Sequence, residues 1–181
     1  MKELITPLND EVISSLSMGD MACISGTIYT ARDAAHKKLS ELLEAGKVLP
    51  FNPAGQIVFY AGPAPAKPGK PIGSIGPTTA GRMDLYSPLL ISSGLKIMIG
   101  KGLRSKEVTE AIVSYRGIYF AATGGIAALM AKCVKSAKII AFPELGTEAI
   151  WELCVEKFPV VVAIDSKGLN LYESGREKYS R

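Results

Sequence analysis

Residues 76–84 read GPTTAGRMD, and their types could hold an anion. Gly76 and Gly81 have the two-glycine spacing of a phosphate-cradling loop, and a cation follows at Arg82. A nucleotide loop of that kind needs GxxxxGK followed by Ser or Thr. Its backbone N–H groups hold the phosphates, its lysine reaches the terminal ones and its hydroxyl binds magnesium. Here Pro77 removes a donor, Arg82 replaces the lysine, and Met83 stands where the hydroxyl is required. The nucleotide reading fails. What is left is a stiff turn presenting the hydroxyls of Thr78 and Thr79 beside a guanidinium whose planar fork matches a carboxylate. The competing reading is structural: Arg82 pairs with Asp84 or caps a helix, and the threonines satisfy the turn.

Two further cations favour an anion site. In TARDAAH, Arg32 opens a helix, where the dipole disfavours positive charge unless an anion or an acidic neighbour such as Asp33 compensates it. In MIGKG, Lys101 follows a strand directly, the position where ligands commonly meet α/β sheets. Three cations at strand and loop ends, with a hydroxyl turn, suit a small dicarboxylate. His36 lies one helical turn after Arg32. It either touches the ligand, orients Arg32, or is a polar residue on the helix surface. Asp84 is expected to orient Arg82. Glu144 and Glu148 either cap a helix or face a partner, and Trp151 belongs to the core or an interface.

The elements that must position these groups follow from periodicity. MACISGTIYTA alternates as a strand, and ARDAAHKKLSELLEAGK places apolar residues at helical spacing up to Gly46. QIVFYAG reads as a strand. Residues 62–81 carry five prolines and form a long stiffened loop. Beyond it, DLYSPLLISSG is a short helix and LKIMIGKG a strand. RSKEVTEAIVSY (helix), GIYFAAT (strand), GGIAALMAKCVKSA (helix), KIIAFPE (strand), TEAIWELCVEKF (helix), PVVVAID and LNLYE (strands) complete the order. The tail SGREKYSR reads as solvated surface. The class is α/β, one layered domain over 1–181.

Composition narrows the functions. The 181 residues are 48% apolar with net charge +4, and the cations are scattered and form no basic stripe, which argues against nucleic acid. Cys23, Cys133 and Cys154 are far apart in apolar settings and read as buried free thiols of a reducing compartment. A single histidine rules out a multi-histidine metal site. The N-terminus lacks a signal-peptide core and no apolar run is long enough for a bilayer, so a cytoplasmic protein is expected.

KPIGSIGPTTAGRMDLYSPLLISSGLKIMIGKG resembles the signature of the β subunit, or C-terminal region, of class I iron–sulfur fumarate hydratases and L-tartrate dehydratases. SGTIYTARDAAHKKL upstream and AFPELGTEAIWELCVEKFPVVVAIDSKGLNLY downstream fit the same family, so the likeness covers nearly the whole chain. It implies a swivelling β/β/α domain and a hydro-lyase acting on malate and fumarate, with tartrate as the alternative substrate. It also implies an α subunit that carries a four-iron, four-sulfur cluster to which this chain gives no ligand. The chain is then inactive alone and assembles as a heterotetramer, or as a homodimer in isolation. The likeness assigns Thr78 as the group at the C3 proton, with Thr79 as the lesser possibility. It assigns Arg32, Arg82 and Lys101 as the carboxylate clamp. A domain that binds dicarboxylates without catalysis is the reading from another class.

Overall fold

The computed structural model describes residues 1–179. Its elements are β1 (Lys2–Ile5), α1 (Asp10–Ser14), β2 (Met21–Thr30), α2 (Asp33–Glu44), β3 (Ile57–Phe59), a 3-10 turn (Ala80–Met83), α3 (Ser87–Ser92), β4 (Ile97–Gly100), α4 (Lys106–Ser114), β5 (Ile118–Ala121), α5 (Ala127–Cys133), β6 (Val134–Ala141), a second 3-10 segment (Pro143–Glu148), β7 (Ile150–Ile164) and α6 (Leu171–Tyr179). No helix among the described residues is long and apolar enough to cross a membrane.

The sheet closes on itself. β2, β3, β4 and β5 pair in parallel, in that order. The long β7 runs antiparallel along β5 at one end and along the whole of β2 at the other, completing a ring. β1 adds to β2 in parallel, and β6 adds to β7 antiparallel. The alternation of side chains along a strand then decides which core each residue enters. Ile57, Phe59, Ile97, Ile99, Ile118 and Phe120 point into the closed sheet and meet Leu153, Phe158 and Val162. Their neighbours Val58, Tyr60, Met98 and Tyr119 point outward, where Ala35 and Leu39 of α2, Leu90 of α3 and Ile112 of α4 cover them. The Pro-rich loop is pinned to the inner core by Ile72 and Ile75.

Three expected elements differ. TEAIWELCVEKF is not an α-helix: Thr147 and Glu148 close the second 3-10 segment, and Ile150 onward is the first half of β7. The helix expected over GGIAALMAKCVKSA stops at Cys133, and β6 starts at Val134. LNLYE is not a strand. Asn170 accepts a hydrogen bond from the Tyr172 N–H through Oδ1 and opens α6, which runs into the tail as far as Tyr179. Ser180 and Arg181 of that tail lie outside the described residues. The cysteines are only partly as expected: Cys23 is buried, Cys133 half-buried and Cys154 exposed.

Candidate functional site

The parallel strands β2 to β5 all end at one edge of the sheet, and the predicted cations lie there. Arg32 follows β2 and is the residue before the first turn of α2. Lys101 follows β4. The hydroxyl turn is laid across the same edge by main-chain bonds: the Thr78 N–H donates to the Tyr60 carbonyl at 2.6 Å, the Lys101 N–H to the Thr78 carbonyl at 3.3 Å, and the Ala80 N–H to the Lys101 carbonyl at 2.8 Å. Thr79 and Lys101 thereby pair as an isolated parallel bridge. Gly100 must be glycine, because a Cβ there would fall 2.8 Å from Tyr60 Cδ2 and 3.1 Å from the Ala80 Cβ. The turn and β4 approach too closely for any side chain between them.

Arg82, in the 3-10 turn just after Thr79, donates through Nε to Asp33 Oδ1 at 2.8 Å. Asp33 is the first residue of α2, and its other oxygen lies 3.8 Å from the Arg32 guanidinium. Asp33 therefore joins two of the three predicted cations. Arg32 also pairs with Glu148 at 3.2 Å, and Glu148 accepts the Ala34 N–H at 3.0 Å, capping α2 in the way Arg32 cannot. Glu144 pairs with Lys38 at 2.7 Å. Lys101 is exposed and, among the described residues, pairs with no carboxylate. The Thr78 hydroxyl is half-buried and makes no hydrogen bond within the described chain, whereas Thr79 is exposed. Arg32 Nε and Asp33 Oδ2 are shut off from solvent without a hydrogen-bond partner. Orphaned polar atoms of this kind cost free energy and collect at functional sites.

Two expectations are corrected. Asp84 does not orient Arg82. It takes the buried Arg104 at 2.7 Å and the Ser105 N–H at 2.6 Å, leaving Arg82 to Asp33. Sequence reasoning missed Arg104, although an arginine two residues after GKG was a visible signal. His36 is not a surface residue. It is 1% exposed, its ring lying edge-on to Tyr60 at 5.1 Å. Its Nδ1–H donates to the Arg32 carbonyl at 3.0 Å, so it holds the start of α2 and is walled off from any ligand.

Burial presses the His36 pKa down to about 4 from an ordinary 6.5, outweighing the Arg32 carbonyl, which favours the charged ring. The unfolded chain binds a proton near pH 6.5 that the folded chain refuses down to about 4. The contribution of His36 to stability is complete well above pH 6.5 and lost as pH falls through that window, with a slope that steepens toward, and does not exceed, about 1.4 kcal/mol per pH unit. Denaturant unfolding between pH 6.5 and 5, above the carboxylate range, should show this slope, and His36→Gln should remove it. Equal slopes in the two proteins would contradict the assignment.

A family model described as the fumarase C-terminus matches residues 3–175. The chain belongs to this family. It is 44% identical over 175 residues to the anaerobic class I fumarate hydratase of Escherichia coli K12, a match covering 96% of this chain and 31% of that protein. Fumarate hydratase 2 of Leishmania major is 43% identical over 162 residues, covering 88% and 28%. A putative L(+)-tartrate dehydratase subunit beta of Methanocaldococcus jannaschii is 39% identical over 184 residues, covering 98% of this chain and 94% of that subunit. The chain spans less than a third of the two fumarate hydratases and nearly all of the dehydratase subunit.

The thiols of this family member do not fit an iron–sulfur cluster. Along the β2–β7 ribbon Cys23 faces Pro159 while Cys154 faces Thr27, which separates the two by roughly 13 Å. Burial raises the Cys133 thiol, the opposite of what a thiolate ligand needs. Among the described residues no three His, Cys, Asp or Glu side chains gather as a metal site.

Proposed function

We propose that this chain is the β subunit of an iron–sulfur hydro-lyase that interconverts fumarate and malate, active only with a cluster-bearing α subunit. The observation that carries the reading is the linkage of Arg32, Arg82, Lys101 and Thr78 at one sheet edge, through Asp33 and the Thr78–Lys101 main-chain bond, in a member of the fumarase C-terminus family. The closed sheet with helices on its outer face fits a swivelling β/β/α domain, which we take to comprise all 181 residues. We place the protein in the cytoplasm, in a heterotetramer with the α subunit or, in isolation, as a homodimer. We assign the cluster to the α subunit; the absence, among the described residues, of any gathering of three His, Cys, Asp or Glu side chains as a metal site supports this reading.

The substrate carboxylates engage Arg32, Arg82 and Lys101. Arg82 exchanges Asp33 for a substrate carboxylate, a swap between like partners that costs little desolvation. Removing the C3 proton of malate drives charge onto the adjacent carboxylate, and cations already fixed around it stabilise that charge without reorganisation. Thr78, as its alkoxide, takes the proton to become the neutral alcohol. The C2–O bond breaks with the oxygen leaving as hydroxide, whose charge a Lewis-acidic iron of the α subunit's cluster would take up. A threonine alkoxide is an expensive base in water, and the nearby cations lower its cost. Thr79, which is exposed, is the lesser possibility.

L-Tartrate is the second reading, favoured by the match along 94% of a putative tartrate dehydratase subunit beta. Anaerobic co-expression with the cluster-bearing subunit tests both: fumarate hydration should appear only when both chains are present, and tartrate dehydration should be much slower. Tartrate turnover alone would reassign the substrate. Tight dicarboxylate binding by the isolated chain, with no turnover in any pairing, would make it a binding domain.

A further inference from the structure

We infer that Arg104, with Asp84, is the positioning residue that holds Thr78, Arg82 and Lys101 in register; the inference rests on the site proposed above. The Arg104 side chain is 0% exposed, so it touches no substrate. It lies between the rings of Tyr60 and Tyr119, at 5.2 and 5.0 Å. Nε donates to Asp84 Oδ1 at 2.7 Å, one terminal nitrogen to Ser87 Oγ at 2.7 Å, and the other to the Tyr60 hydroxyl at 3.3 Å. Burial works against its charge, but Tyr60 and Asp84 more than offset that and raise its pKa.

The contacts with Tyr60, Tyr119 and Asp84 lead to the three stretches of the site. The Tyr60 carbonyl receives the Thr78 N–H, and the Tyr60 ring is packed against Gly100, the residue before Lys101. The Tyr119 hydroxyl donates to the Gly102 carbonyl at 3.0 Å, and the Gly102 N–H donates to the Tyr172 hydroxyl at 3.0 Å, fixing the residue after Lys101. Asp84 ends the 3-10 turn that carries Arg82, and its N–H donates to the Gly81 carbonyl at 3.3 Å. One buried guanidinium thus reaches all three stretches from beneath. Stability alone does not require an arginine here, because a buried ion pair can often be replaced by apolar side chains of similar volume at little cost. An apolar side chain cannot bond Asp84, Ser87 and Tyr60 at fixed angles; neither can lysine, whose single ammonium lacks the fork.

Arg104→Lys in the full chain is the test, read first by amide hydrogen exchange. Exchange at Thr78, Ala80 and Lys101 should accelerate at least tenfold, while the amides of β2 and β7 keep their protection. Acceleration shared evenly by β2 and β7, or no acceleration, would overturn the inference, since the residue would then serve only the fold or nothing. In the two-subunit enzyme the same variant should lose kcat/KM on the order of tenfold, below the roughly 100-fold that a 1 Å misplacement can cost. Asp84→Asn should produce a similar loss, and the double variant little more than either alone. Additive losses would overturn the clasp. Selective exchange with unchanged kinetics would instead uphold the clasp and discard the site it supports.

Discussion

Thr78→Ala is expected to lower turnover by about 10^3-fold, the range of a positioned proton-transfer group, with the fold and its association with the α subunit unchanged. The expectation rests on a division of labour within one residue. Everything Thr78 does for the structure is done by its main chain, whose N–H goes to Tyr60 and whose carbonyl takes Lys101. Alanine keeps both bonds. The hydroxyl is bonded to nothing in the described chain and is half-buried at the cationic edge, so its removal leaves no orphaned partner. Thr79→Ala should change turnover little, since Thr79 is exposed. Steady-state rates of fumarate hydration, with circular dichroism for the fold, decide the matter. A Thr78→Ala enzyme near wild-type rate, or a loss that follows Thr79, would remove Thr78 from the chemistry.

That Arg32, Arg82 and Lys101 stand at strand and loop ends was legible in the sequence because each is beside a glycine or a helix start, punctuation that survives without knowledge of the fold. The choice of Thr78 over Thr79 came instead from the family resemblance. Asp33 beside Arg32 was legible too, but the counter-ion of Arg82 was not. Asp84 is two residues from Arg82 and Arg104 is twenty from Asp84, yet the buried arginine takes Asp84 and α2 supplies Asp33 to Arg82. Such choices are made by packing, and local spacing carries no trace of them. The surface reading of His36 failed for the same reason, because its surroundings, Tyr60 and Tyr86, come from other parts of the chain, whereas its bond to the Arg32 carbonyl fits the reading that it orients Arg32.

The strand taken for a helix has a local cause. Leu153 and Val155 point into the closed sheet, and so do Phe158, Val160 and Val162. The alternation slips by one residue between Val155 and Phe158, where β7 spends three residues against two of β2, from Ile24 to Gly26. Lys157, at φ 50°, is in the bulge. A spacing of three between buried residues imitates a helical turn, and a single sequence does not distinguish the two. β7 passes from β2 to β5 further on, at Val161, which pairs with both Met21 and Ala121.

Arg82→Lys should reduce kcat/KM roughly 100-fold, mainly through KM, although the charge is kept. Arg82 is 53% exposed, and its Nε is engaged by Asp33 while its terminal nitrogens make no ion pair among the described residues. A lysine ammonium reaches Asp33 or a substrate carboxylate at one point and cannot present two parallel donors. The fold should not register the change, because an ion pair this exposed is worth at most ~1 kcal/mol. That insensitivity sets Arg82 apart from Arg104, whose loss is felt throughout the turn. Substrate saturation curves and thermal melts of the two variants, measured together, separate a residue that grips the ligand from one that holds the grip in place. A KM for Arg82→Lys within a factor of about two of wild type, well short of one charged hydrogen bond, would leave the carboxylate to Arg32 and Lys101.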